Sequence, residues 1–302
     1  METRQQWDVQ TLTALVGEAD DAGADVAADG GAGTDGNDAA FSEVNLSGVR
    51  IQRASIVLKQ QFRIDASNAT VQWINDLIDG RPIGPIPAGE KYQIRVVDSP
   101  VDLHQVIKGK VTEEGEHGLS RLLATYDWPY ASAKNPGEPN GRWCVEMHRE
   151  KDGRWATGLL DGDNRGYIAG SADAGPGSDR FCLPRNYGIS SNGSAGLGKK
   201  SWAERPETVD EVGSTFTIQG FDLNYAGAII GPSVKLREGR VVFDRSTSCS
   251  SAATNKREGR PDYSEQNLHN ELNVLLKRGV HGLYLFAVDP ALQAALKAAA
   301  QR

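Results

Sequence analysis

The sequence predicts an α/β fold: an open, mainly parallel sheet flanked by helices. Short apolar runs bounded by glycine and polar turn residues, such as residues 226–230, read as strands buried on both faces. Helical patterns alternate with these runs, which is the order of βα units. Glycines close several of the runs, where the chain must leave a strand and turn. In a sheet of this kind ligands are expected at the carboxyl ends of the strands.

The elements follow in order. Residues 7–16 can form a short helix, and Glu18 to Ala40 is rich in Asp, Gly and Ala with almost no large apolar residue. Such a segment buries too little surface to offset its ordering entropy, so residues 1–47 are expected to be a short N-terminal segment and a disordered acidic linker. The folded domain is expected over 48–302. Gly48 to Lys59 alternates and reads as a strand. Ser67 or Asn68 caps a helix to about Ile78, with Val71, Ile74, Leu77 and Ile78 on one face. Tyr92 to Val97 is a strand. Ser99-Pro100 supplies an N-cap and a first-turn proline for a helix to about Lys108.

Leu119 to Tyr126 is a buried segment that ends at Asp127-Trp128-Pro129-Tyr130, and Trp143 to His148 alternates as a strand. Glu150 to Ser201 is rich in Gly, Asp, Asn and Ser and reads as long loops with short pieces of structure. Pro206 to Val212 is a short helix. Val234–Leu236 and Arg240–Phe243 form a hairpin about Glu238-Gly239, and Ser246 to Arg260 is a polar loop. Ser264 to Lys277 is a helix, Gly282 to Val288 a strand, and Pro290 to Ala300 a closing helix of good helix formers.

Composition narrows the classes. Of 302 residues, 39% are hydrophobic and 24% charged, which suits a soluble globular chain long enough for a full core. The formal net charge of −7 argues against a dominant non-specific nucleic-acid surface, although charge can be unevenly placed. Cys144, Cys182 and Cys249 lie far apart without CxxC spacing. They read as reduced thiols of a cytoplasmic protein, with no metal site suggested. No apolar run approaches the ~20 residues of a membrane span, and the first residues do not resemble a signal peptide.

One stretch stands out: Gly213 to Tyr225, running into Ala226–Gly231. It begins polar, turns at Gln219-Gly220 and becomes an apolar strand. Gly220 lets backbone approach a ligand closely, Gln219 offers both donor and acceptor, and Asp222 accepts from a hydroxyl. Such a loop suits a nucleotide or a nucleic-acid backbone.

This stretch resembles motif V of superfamily-one helicases, in the version of the Schlafen-type DNA/RNA helicase-like family, a bacterial domain of unknown function. Leu272–Tyr284 resembles motif VI with its following strand, and Leu58–Arg63 resembles motif IV. The three occur in the family's order and cover roughly Val49 to Leu296. The resemblance implies the second RecA-like domain of a helicase-like ATPase, in which ATP and Mg²⁺ are held against a P-loop domain and a DNA or RNA strand is bound. Arg278 is then the motif VI finger, for which a planar, permanently charged fork suits phosphate oxygens. The alternative for Arg278 is a salt bridge at a helix end. Arg63 is the second phosphate candidate and Phe62 an adenine-stacking one, against an Arg63–Asp65 pair and a core Phe. Gln219, Gly220 and Asp222 contact ribose or couple ATP to the nucleic acid. Asp222 stands where the family often has Glu and reaches less far. Lys277 stands where Thr is common. Thr215 and Thr217 are candidate phosphate-backbone contacts. Trp128 and Tyr130 either stack on bases or fill the core.

Other signals fail on inspection. Gly193–Lys200 nearly spells a P-loop, but Lys200 occupies the place of the Mg²⁺-binding Ser or Thr, and no strand pattern precedes it. Leu159–Asp163 is too short and glycine-flanked for an acidic metal site. The five histidines show no ligand spacing. Only about 50 residues precede the motif IV region. The resemblance therefore implies the C-terminal half of the motor, its P-loop domain on a separate chain or lost, with a non-catalytic nucleic-acid- or protein-binding module as the alternative.

Overall fold

The computed structural model describes residues 64–88, 91–115, 118–130, 143–158, 177–186, 200–255 and 261–301, with the backbone of four further strands. The chain divides into two compact units, Met1–Phe62 and Arg63–Arg302. In the first, β1 (Ala39–Leu46) and β2 (Val49–Ile56) pair antiparallel, with Leu46 opposite Val49. The expected boundary at 47/48 lies between β1 and β2, and the compact units separate after Phe62. The acidic segment, up to residue 38, lies outside the described residues.

In chain order the second unit contains α1 (Asn68–Ile78), β3 (Gln93–Val96), α2 (Pro100–Glu114), β4 (Arg121–Ala124), β5 (Gly141–Arg142), β6 (Cys144–Arg149), β7 (Trp155–Thr157), β8 (Tyr167–Ile168) and β9 (Arg180–Pro184). A 3₁₀ turn (Pro206–Asp210), β10 (Val212–Gly213), β11 (Leu223–Ile230), β12 (Val234–Arg237) and β13 (Arg240–Phe243) follow. The chain continues through α3 (Ser251–Thr254), α4 (Ser264–Leu276), β14 (Gly279–Ala287) and α5 (Pro290–Ala300).

Several local signals act as the sequence implies. The Ser67 hydroxyl accepts from Thr70 N–H at 3.2 Å, and the Ser99 hydroxyl from Asp102 N–H at 2.9 Å, so both helices start on satisfied donors. Asp289 does the same for α5, accepting from Leu292 N–H at 3.0 Å ahead of Pro290. Glu238 and Gly239 have φ of 52° and 76°, the paired positive values that a tight hairpin between β12 and β13 needs. Helix α2 continues through Gly109 to Glu114, past the expected end near Lys108. A mid-helix glycine costs only ~1 kcal/mol, and packing outweighs it.

The central sheet has five strands in the order β10-β4-β11-β14-β3, every pairing parallel. This is the α/β, RecA-like arrangement expected, with helices on both faces. Alternate residues of β11 and β14 point to opposite sides. Ala226, Ala228, Ile230, Leu283 and Leu285 pack with Ile74, Leu77, Leu272, Leu275, Leu292 and Leu296 from α1, α4 and α5. Ile229, Tyr284 and Phe286 pack on the other side with Val101, Leu103 and Ile107 of α2. Each fully buried aliphatic or aromatic side chain contributes about 1.5–3 kcal/mol.

That second cluster also takes Val145, Met147, Phe181 and Leu183 from an antiparallel sheet, β7-β6-β9. Strand β9 lies inside the segment read as long loops. Its apolar run is short enough to be hidden by the surrounding Gly and Asp. Ser246–Arg260, expected as a loop, holds the short α3. Arg121, 2% exposed, ties the amino end of β4 to the 3₁₀ turn by donating to Thr208 Oγ1, Gly118 O, Ser120 O and Arg205 O. Among the described residues no helix is long and apolar enough to cross a membrane.

Candidate functional site

The distinctive stretch is a crossover. Gly213, at the end of β10, is level with Leu123 of β4, which is level with Ala228 of β11. The chain must then return to Leu223 to begin β11. Residues 214–222 therefore run from the carboxyl edge of the sheet back to its amino edge, a span of about 16 Å at strand spacing. Ile218, 0% exposed, holds the middle of this segment in the core. The sequence expectation places ligand sites at the carboxyl ends. The candidates divide between two edges because the segment that carries them spans the sheet.

At the amino edge, the segment meets the end of α4. Leu223 N–H donates to Arg278 O at 2.8 Å. Arg278 Nη1 donates to Phe221 O at 3.3 Å and lies 3.8 Å from an Asp222 carboxylate oxygen. Arg278 is 4% exposed, while the Asp222 side chain is 38% exposed. Gln219 and Gly220 are exposed, and Gly220 adopts φ +81°, a conformation open to glycine at no steric cost. Lys277, beside the arginine, has its pKa lowered by burial. The structure thus brings Gln219, Gly220, Asp222 and Arg278 to one edge. The contacts of Arg278, at the helix-to-strand junction beside an acid, are those of the salt-bridge alternative.

At the carboxyl edge, the other end of the segment carries Thr215, Phe216 and Thr217. Phe216 is 53% exposed and stands edge-to-face on Tyr126, ring centroids 5.7 Å apart. The Arg185 guanidinium covers the Tyr126 ring, 4.1 Å from its centroid. Arg185 is 1% exposed and donates from Nη1 to Trp128 O at 3.0 Å. Arg185, Tyr126 and Phe216 thus form a ladder from the interior to the surface. Thr217 is buried, and its hydroxyl accepts from Ser214 N–H and donates to Ser214 O, both at 2.8 Å. That bond closes the turn that presents Thr215 and Phe216.

Beneath the ladder lie two acids. Asp127 Oδ2 accepts from Thr125 Oγ1 at 2.8 Å and Ser233 N–H at 3.0 Å, and burial raises its pKa. Glu271 of α4 keeps some exposure as a residue, but one carboxyl oxygen accepts Tyr126 N–H at 2.6 Å. Burial, then the neighbouring Asp127, push the Glu271 pKa up to about 8. Gly231 closes β11 against this group, and a Cβ there would stand 2.6 Å from Thr125 Oγ1. Asn186, 1% exposed with φ 49°, follows Arg185, and its side-chain amide has no hydrogen-bond partner among the described residues.

The remaining candidates fall elsewhere. Trp128 is 4% exposed, donates from Nε1 to Glu146 O at 2.9 Å and joins the second core cluster. Its ring offers no face to a base, and the core-filling alternative describes its place. Phe62 and Arg63 lie outside the described residues, as does the near-P-loop up to residue 199. Sequence reasoning missed Tyr126, Arg185, Asp127 and Glu271. Phe216 was in view between the two threonines. Arg185 was hidden in glycine-rich sequence, and Glu271 carried no signal beyond its place on a helix.

With this geometry in place, the comparisons decide the family. The Schlafen group 3, DNA/RNA helicase domain matches residues 36–289. The chain belongs to this family. An uncharacterized protein of Saccharomyces cerevisiae is 30% identical over 261 residues, covering 78% of this chain and 46% of its own length. The chain therefore spans about half the length of this relative, and the similarity is not confined to bacteria.

Of the residues that the resemblance assigns to the arginine and ribose side of an ATP site, the acid, the Gln and the glycine turn are at least partly exposed, while the Arg278 guanidinium is buried and bonded to Phe221 O. The described residues do not supply a glycine-rich phosphate cradle or a Mg²⁺-binding hydroxyl.

Proposed function

We propose that this domain is the second RecA-like half of a helicase-like ATPase of the Schlafen group 3 family. It contributes Arg278 to an ATP site whose P-loop is carried elsewhere, and it binds single-stranded DNA or RNA at the opposite sheet edge. The observation that carries the reading is the crossover 214–222, whose two ends hold the two candidate sites. A shift at the nucleotide end is transmitted along a segment pinned at its centre by Ile218. This reading takes the crossover as the element whose position both sites bias.

In this reading Arg278 binds phosphate oxygens, Asp222 and Gln219 orient the ribose, and Gly220 admits close approach. Arg63 and Phe62 are assigned to phosphate and adenine by the motif IV resemblance alone. Thr215 contacts the backbone of the bound strand, and Phe216 stacks on a base with Tyr126 and Arg185 holding it upright. ATP supplies the phosphoryl bond that is hydrolysed when bound with Mg²⁺. The chain's own part is to place a cation on that phosphate.

The test adds this chain to the P-loop domain of a family member and measures ATP hydrolysis with single-stranded oligonucleotides. Stimulated hydrolysis that disappears with Arg278→Ala supports the proposal. A folded pair that shows no stimulation contradicts it. A second reading, a non-catalytic binding module, is favoured by the inward position of Arg278, 4% exposed and bonded to Phe221 O. It predicts oligonucleotide or protein binding with no dependence on nucleotide.

A further inference from the structure

The antiparallel sheet on the α2 side carries a group that the mechanism above does not use. In β6 and β9, Glu146 pairs with Cys182, and Cys144 pairs with Pro184. Val145, Met147, Phe181 and Leu183 face the core. By strand alternation, Cys144, Glu146 and Cys182 face the other way, side by side. All three are buried, at 5%, 5% and 0% exposure. The two cysteines form a small cluster of their own, and Cys182 Sγ donates to Glu146 Oε1 at 3.3 Å. One donor atom from each residue lies within 4.8 Å of the other two.

Two thiols and a carboxyl converging in a water-excluded place form a soft donor set. Thiolates select zinc-class ions over magnesium or calcium. Zinc–sulfur bonds of about 2.3 Å and zinc–oxygen bonds of about 2.1 Å place ligand atoms roughly 3.4–3.8 Å apart. The 4.8 Å bound on the donor spacings lies about 1 Å above these separations, a difference within reach of side-chain rotation.

We infer that Cys144, Glu146 and Cys182 bind one zinc-class divalent ion on the face of β6 and β9 turned away from the α2-side core, with a fourth position left for another donor. Binding displaces the thiol protons, because the thiolate is the ligand. The ion pins two strands that the ladder and the Cys182–Glu146 hydrogen bond already join. Cys182 is three residues from Arg185, so the same ion fixes the strand that carries the guanidinium over Tyr126. The sequence concealed this set. Its donors come from two strands, Glu146 and Cys182 being 36 positions apart, and not from a short spacing motif.

The test titrates the reduced, chelator-treated chain with Co²⁺. The expected result is a thiolate-to-cobalt charge-transfer band with visible tetrahedral bands, saturating at one equivalent and displaced by Zn²⁺. Cys144→Ser and Cys182→Ser each abolish the one-equivalent band. Glu146→Gln keeps a thiolate band but weakens binding, and Cys249→Ser leaves the titration unchanged. Zinc added to the wild-type chain raises its melting temperature, a readout that does not depend on whether the variants fold. No charge-transfer band in the wild-type chain, or a band that survives both cysteine substitutions, overturns the inference.

Discussion

Leu223 N–H donates to Arg278 O across 2.8 Å, joining the residue that opens β11 to the residue that precedes β14. Both partners are backbone atoms, so the bond persists whatever side chains stand there. It fixes Asp222 and Arg278 as neighbours, and their side chains then meet at 3.8 Å. Two segments that lie far apart in sequence are one edge of the sheet in space.

That backbone bond makes the two side chains separable by mutation. Arg278→Ala removes a buried charged donor from Phe221 O and should lower stability by about 1–3 kcal/mol. Asp222→Asn alters a partly exposed pair and should cost less than about 1 kcal/mol. Denaturant midpoints check the order, and a larger loss for Asp222→Asn would contradict the geometry. In the reconstituted ATPase, Arg278→Lys should stay inactive, since an ammonium cannot reproduce a planar fork.

Gly213 ends β10 under the Trp202 ring. A Cβ there would stand 2.5 Å from Thr217 Oγ1 and 2.7 Å from Trp202 Cη2. Gly213→Ala should therefore destabilise the domain by about 1–3 kcal/mol and loosen the turn that presents Phe216. Gly220→Ala meets no atom within 4 Å, yet its φ of +81° strains any other residue. It should cost about 1–2 kcal/mol with no packing loss. Thermal melts of the two variants test these costs.

The acid pair beneath the ladder gives stability a direction with pH. Glu271 titrates at about 8 in the folded chain, against an ordinary 4.5. Between those values the folded chain holds a proton that the unfolded chain has released, so stability falls as pH rises through the window. The raised pKa of Asp127 acts in the same direction. Asp210 lies at about 2, held low first by His104, and loses its contribution only below pH 3.8, outside this window. Glu271→Gln keeps an oxygen for Tyr126 N–H and cannot ionise. Its melting temperature should vary less with pH than that of the wild-type chain, and curves of equal slope would contradict the assignment.

Much of the fold was legible because its signals are local. Ser67 and Ser99 announce helices by their own hydroxyls, and Glu238-Gly239 announces a hairpin by its backbone preference. The residues 226–230 announce a buried strand by their lack of polarity. The site was legible only where a motif is continuous, from Thr215 to Asp222 and at Arg278. The partition of that motif between two sheet edges was not, because it follows from the position of β4 between β10 and β11. The support of Phe216 by Tyr126 and Arg185 depends on contacts 60 to 90 residues apart in sequence, for which no periodicity exists.

The most direct measurement is the affinity of the purified chain for a labelled single-stranded oligonucleotide, DNA and RNA in parallel, by fluorescence anisotropy. Phe216, half exposed and outside the core, loses on truncation its edge-to-face contact with Tyr126, worth about 0.5–1.5 kcal/mol. The account predicts salt-dependent binding that Phe216→Ala weakens by about 1–3 kcal/mol, roughly 5- to 150-fold in Kd, with the chain still folded at the assay temperature. Binding of both strands that is unaffected by Phe216→Ala, or no binding at low salt, would contradict the placement of the nucleic-acid site at this edge.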